Sequence, residues 1–162
     1  QILYNIPGRT GVNMLPSTVA RLCGLQNIVG IKEGSGSVQQ ASEIVSTCGD
    51  RITVLAGDDA LTLPMMAVGG KGVISVTSNI VPSQMAQLVQ AFLSSRIDEA
   101  RRIHSALSPL FNALFYETNP IPVKTALGLM GKIDPELRLP LCAMAAETKD
   151  KLTRVLKDAG LI

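Results

Sequence analysis

Tryptophan is absent from this chain, aromatic residues make up only 3% of it, and its formal charge is a mere +2. Surfaces that bind nucleic acid need basic patches and rings on which bases stack, so nucleic acid is not an expected partner. Histidine occurs once, His104, within the helical stretch 98–104 and with no ligand-type residue close by in sequence; it reads as a helix-surface or packing residue. Three cysteines, Cys23, Cys48 and Cys142, stand far apart with neither a CxxC pair nor metal-site spacing. They read as structural thiols of a reducing, cytoplasmic compartment, and no metal is expected. Nor is there an unbroken apolar run of membrane-spanning length. The longest low-charge region, 61–93, is cut by Pro64, Gly69, Gly70, Lys71 and Pro82, so no membrane span is expected. The chain opens on Gln1, inside an apolar strand and without an initiator Met; the expectation is a missing natural N-terminus or a processed piece.

Hydrophobic residues account for 46% of the 162 positions and charged ones for 17%, enough apolar material for a sizeable core. Strand-like and helix-like segments alternate. Gln1–Ile6, Ile28–Glu33, Ile52–Gly57 and Gly72–Val76 read as strands. Pro16–Leu25, Ser37–Thr47, Ala60–Val68 and Ser83–Leu93 read as the helices that follow them. Four β-α units within residues 1–95 predict an α/β fold with a parallel sheet and right-handed crossovers. Residues 96–162 read as a helical region: Ile97–Phe115, Ile121–Met130 after the Asn119-Pro120-Ile121-Pro122 breaker, and Ala143–Leu161. Their leucine and methionine stripes are assigned to packing alone.

One lysine stands out. Lys32 closes the β-branched run Asn27–Ile31, and a loop, Glu33-Gly34-Ser35-Gly36-Ser37, follows. In parallel α/β proteins the carboxyl ends of strands carry the chemistry. Burial there disfavours a charged ammonium, and a neutral lysine amine can attack a carbonyl to form a Schiff base. Strand alternation puts Gly30 and Lys32 on one face, with Val29, Ile31 and Glu33 on the other. If the sheet curls into a barrel, Tyr4, Lys32, Gly57 and Ile74 meet on its inner face near the rim. Gly30 and Gly57 then leave a cavity beside the amine for a small substrate.

A second motif is Tyr4-Asn5-Ile6-Pro7-Gly8-Arg9-Thr10-Gly11. A phenol at a strand end can relay protons, and a guanidinium a few residues later can clamp a carboxylate with its planar fork. Pro7, Gly8 and Gly11 fit equally a plain strand-to-loop turn with Arg9 in water, and the local sequence leaves both readings open.

Together with Gly30-Ile31-Lys32-Glu33, this motif resembles the pyruvate-dependent Schiff-base aldolase and lyase family. The resemblance covers essentially the whole chain, including Leu55-Ala56-Gly57-Asp58-Asp59, Gly72-Val73-Ile74-Ser75-Val76 and Asn119-Pro120-Ile121-Pro122-Val123-Lys124. It implies the C-terminal half of a (β/α)8 TIM barrel followed by extra C-terminal helices. By that resemblance Lys32 forms an imine with pyruvate and Tyr4 passes protons. Arg9 receives the carboxylate of L-aspartate 4-semialdehyde, and Gly57 and Ile74 line the pyruvate pocket. The arginine favours that second substrate over those of sialic-acid and keto-sugar-acid lyases, which share the tyrosine and lysine. No cofactor is implied.

Other parts of the family pattern have no match in these residues. They are the Gly-Thr-Thr-Gly-Glu stretch, whose threonine joins the relay, the second tyrosine contributed across the tetramer, and most of the lysine feedback site. The expected partners are therefore the missing N-terminal half of the barrel and further copies in a homotetramer. The alternatives are a related class I keto-acid aldolase, a sialic-acid or keto-sugar-acid lyase, and, from a different class, a non-catalytic half-barrel that serves only in assembly.

Overall fold

A computed structural model describes residues 1–162. Its sheet has four parallel strands in chain order: β1 (Ile2–Asn5), β2 (Gly30–Glu33), β3 (Thr53–Ala56) and β4 (Gly72–Val73). The register aligns Tyr4, Lys32, Leu55 and Gly72 in one row across the sheet and Asn5, Glu33, Ala56 and Val73 in the next. After β1 come a single turn, α1 (Pro7–Thr10), and α2 (Pro16–Leu22); α3 (Val38–Cys48), α4 (Thr62–Ala67) and α5 (Pro82–Leu93) follow the other three strands. The chain closes with α6 (Ile97–Ala113), α7 (Ile121–Leu129) and α8 (Ala146–Asp158).

Local chemistry sets the boundaries. Ser37 caps α3, its side chain accepting a hydrogen bond from the Gln40 N–H at 3.0 Å. Pro64 lies in the first turn of α4, where an N–H would have no partner within the helix, so it is tolerated there. β4 is shorter than the predicted 72–76. Ile74 N–H still donates to the Ala56 carbonyl, but Val76 and Thr77 N–H turn instead to the Asp59 carboxylate, at 3.1 and 2.8 Å, and the chain leaves the sheet. The last helix starts three residues later than predicted. No side chain of Ala145 caps it; Glu117 accepts from the Ala145 N–H and from the Thr148 hydroxyl and holds its first turn.

Two apolar clusters hold the molecule together. One lies between the sheet and its helices and includes Val19, Ile31, Ile44, Val54, Ala56 and Met65. The other, of sixteen buried residues, joins α5 to α6, α7 and α8 through Leu88, Leu114, Leu152 and Leu156. The opposite face of the sheet has no cover: Ile2 is 52% exposed, Tyr4 44% and Ile74 39%. Strand alternation therefore falls as the sequence predicts, with one face buried under helices and the face carrying Tyr4 and Lys32 open.

Candidate active site

Tyr4 and Lys32 stand opposite each other at the carboxyl ends of β1 and β2. Lys32 Nζ lies 4.1 Å from the centre of the Tyr4 ring, a cation–π contact. In-register parallel pairing makes this contact, since partners on adjacent strands project to the same side. Lys32 is half-buried rather than buried as the sequence reading expected, because the inner face of the sheet is open.

Gly57 and Ile74 extend the same wall one residue past β3 and β4. Gly57 N–H donates to the Glu33 carbonyl at 2.7 Å, and Ile74 N–H to Ala56 at 2.9 Å. Packing supplies a further reason for glycine at 57. A Cβ there would lie 2.9 Å from the Glu33 carbonyl oxygen and 2.9 Å from Gly34 Cα, so the close approach of the ends of β2 and β3 itself demands glycine.

Arg9 sits in α1 and is exposed, and its Nη2 donates to the Asn119 carbonyl at 3.2 Å. This contact links the loop after β1 to the N-terminal end of α7. Arg9, Ser35, Asp58 and Asn119 border an open depression of about 710 Å³ above the strand ends. Arg9 therefore shares a polar mouth with the loops after β2 and β3, while Tyr4 and Lys32 line the adjoining open wall. The five residues singled out in the sequence all lie at one end of the sheet.

Sequence reasoning missed the layer behind this wall. Asn5 and Glu33, the neighbours of Tyr4 and Lys32, point to the helix side, where they are 2% and 0% exposed. Asn5 Nδ2 reaches both Glu33 oxygens, at 3.2 and 3.0 Å. The signal was available: alternation places a charged residue, Glu33, on the same apolar face as Ile31, and a charge is seldom found there without partners. No group of three or more His, Cys, Asp or Glu side chains is placed to hold a metal ion.

Residues 1–159 match the model of the Dihydrodipicolinate synthetase family. The chain belongs to this family. It is 60% identical over 162 residues to the 4-hydroxy-tetrahydrodipicolinate synthase of Geobacter metallireducens, covering 100% of this chain and 56% of that protein. The synthase of Thermodesulfovibrio yellowstonii is 58% identical over 161 residues, 99% of this chain and 55% of the relative. Among solved structures, dihydrodipicolinate synthase from Thermotoga maritima superposes with a TM-score of 0.96 at 47% identity, over 99% of this chain and 56% of the other. The chloride-inhibited dihydrodipicolinate synthase of Acinetobacter baumannii, solved with pyruvate, gives a TM-score of 0.96 at 41% identity, over 99% and 55%. The chain thus spans about 56% of the length of curated family relatives, and its four β-α units are a partial (β/α)8 barrel.

Proposed function

We propose that this chain supplies the imine-forming wall of a 4-hydroxy-tetrahydrodipicolinate synthase, a lyase of lysine and diaminopimelate biosynthesis. The observation that carries the reading is the Lys32–Tyr4 pair, 4.1 Å apart at the carboxyl edge of a parallel sheet, in a chain 60% identical to such a synthase. In this reading the Lys32 amine attacks the carbonyl of pyruvate, and loss of water gives the imine. Loss of a methyl proton turns the protonated imine into an enamine, which attacks the aldehyde of L-aspartate 4-semialdehyde. The amino group of that substrate then closes the ring on the imine carbon and releases Lys32. Tyr4 carries protons through these steps. The protonated imine is itself the electron sink, so the reaction calls for no cofactor.

Arg9 takes the carboxylate of the second substrate, as its position in the polar depression suits, and Gly57 and Ile74 shape the pyruvate pocket. Residues 1–95 serve as the half-barrel and 96–162 as the helical region flanking it. Other strands cover the open face and pair with the free edges of β1 and β4, which are otherwise exposed to unwanted pairing. The completed barrel assembles as a homotetramer in the cytoplasm. All three cysteines are free, as a reducing compartment would leave them.

The test uses residues 1–162 produced together with the part of the Geobacter metallireducens relative that this chain does not span. Borohydride with pyruvate is expected to leave a reduced adduct on Lys32, located by mass spectrometry, and none in the Lys32→Arg variant. Turnover with L-aspartate 4-semialdehyde should exceed that with keto-sugar acids. An adduct on another lysine, or none, would refute the assignment and favour a wall used only in assembly.

A further inference from the structure

We propose that Glu33 is the positioning residue of this site, a buried carboxylate that holds the segments bearing Tyr4, Lys32 and Arg9 in one arrangement. The inference rests on Lys32 being the imine-forming amine. Glu33 is fully buried, and the three ion pairs of the molecule, Arg96–Glu99, Arg101–Asp98 and Lys151–Glu147, all lie elsewhere. A buried carboxylate without a cation is costly unless hydrogen bonds surround it.

Here every neighbour is a donor. Ser35 N–H reaches Oε1 at 2.7 Å, Gln40 Nε2 reaches Oε2 at 3.1 Å, and Asn5 Nδ2 reaches both oxygens. Each donor ties down a different segment. Asn5 follows Tyr4 in β1, and its Oδ1 accepts from the Met14 N–H at 2.9 Å, which closes the loop carrying Arg9. Ser35 opens the loop after Lys32, and Gln40 belongs to the first turn of α3. Asn13 completes the ring, accepting from Asn5 at 2.8 Å and donating to Gln40 at 3.0 Å.

The carboxylate is therefore required for its acceptors and not only for its volume. An amide of the same shape would bring an NH₂ group against N–H donors, and the misfit would pass to the tips of β1 and β2. Misplacing a reacting group by about 1 Å can cost roughly 10²-fold in rate.

The test uses the completed barrel and two variants, Glu33→Gln and the reciprocal exchange Asn5→Asp/Glu33→Gln. The exchange conserves net charge and, after the amides of Asn13 and Gln40 flip, restores a donor opposite each acceptor among residues 5, 13, 33 and 40; only the Gln40 contact to the Met14 carbonyl, 3.2 Å in the unsubstituted chain, loses its donor. Glu33→Gln should slow pyruvate imine formation by about 10- to 100-fold, following the sensitivity to misplacement, with little change in the pyruvate concentration for half-saturation. Amide hydrogens of Met14 and Ser35 should exchange faster with solvent. The exchange variant should recover most of the rate and of the protection. Glu33→Gln with wild-type rate and protection would overturn the proposal. So would an exchange variant no better than Glu33→Gln, including one that fails to fold as the single variant does. If the unsubstituted barrel traps no pyruvate, the functional reading fails, while the amide-exchange comparison still decides whether Glu33 positions these loops.

Discussion

In α5–α8 apolar side chains meet from every direction: Leu88, Leu114, Leu152 and Leu156 are fully buried. The sheet β1–β4 is packed on one side only, and its other face presents Ile2, Tyr4 and Ile74 to solvent beside Lys32. The helices thus cover one another's apolar faces, whereas the wall that bears Tyr4 and Lys32 is left open by these four strands. The uncovered face is the one that carries Tyr4 and Lys32. Polar fixation takes the place of missing cover there: the tips of β1 and β2 are held from behind by the Asn5–Glu33 contact.

The largest expected effect tests the wall alone. Lys32→Arg should abolish pyruvate trapping in the completed barrel, because arginine stays protonated and cannot form an imine, while leaving the melting temperature nearly unchanged, because a long cationic side chain of similar size is kept. Tyr4→Phe should lower kcat by about 10²-fold, the scale of a proton-transfer group, again with a small change in melting. A large stability loss in either would mean that the wall is as tightly packed as the helices.

The helical side should respond in the opposite sense. Leu88→Ala is expected to cost about 2–5 kcal/mol in denaturant unfolding, without a direct effect on imine formation. Ile2→Ala offers the sharper comparison. It is 52% exposed here, yet other strands would cover it in the completed barrel, where the loss should be about 1–2 kcal/mol from the apolar area removed. A loss below about 0.5 kcal/mol, the range of surface substitutions, would show that the inner face stays open after completion.

Arg9→Ala should act on the mouth and spare the wall. The KM for L-aspartate 4-semialdehyde is expected to rise by roughly tenfold or more, the scale of a lost hydrogen bond to a charged group, with pyruvate trapping intact. Loss of trapping instead would move Arg9 into the first half-reaction.

The smallest effect concerns thiols. Burial, followed by hydrogen bonding to Cys23, pushes the Cys48 thiol up to about 11. At pH 8 it remains protonated, and it becomes nucleophilic only as the pH rises towards that value. Exposed Cys142 should therefore be alkylated first, with Cys23 and Cys48 modified only on unfolding, as peptide mapping after iodoacetamide treatment would show. Early modification of Cys48 would mean that the packing between the sheet and its helices is looser than that among α5–α8.

Several features were legible from residues alone because their causes are local. Period-two alternation put Tyr4 and Lys32 on one face and Ile31 on the other, and turn and capping residues marked most helices to within a few positions. The motifs around Tyr4, Arg9 and Lys32, read by resemblance, pointed to the family whose model matches residues 1–159. Where the prediction fell short, distant groups had intervened. β4 ends early because Asp59, seventeen residues before Val76, captures its backbone, and α8 is anchored by Glu117 across 28 residues.

The sequence by itself therefore determined the order of strands and helices and the alternation of faces, since propensity and periodicity are written residue by residue. Only the tertiary structure decided which strands are neighbours in register, and hence that the Lys32 amine lies over the Tyr4 ring. It also decided that Glu33 meets Asn5, Ser35 and Gln40 in a cage of donors, and that Gly57 is glycine for the sake of the Glu33 carbonyl. Asn5 and Glu33 are 28 positions apart, and no local periodicity brings such groups together. Their meeting depends on strand pairing, helix packing and the exclusion of water between them, which exist only once the chain has folded.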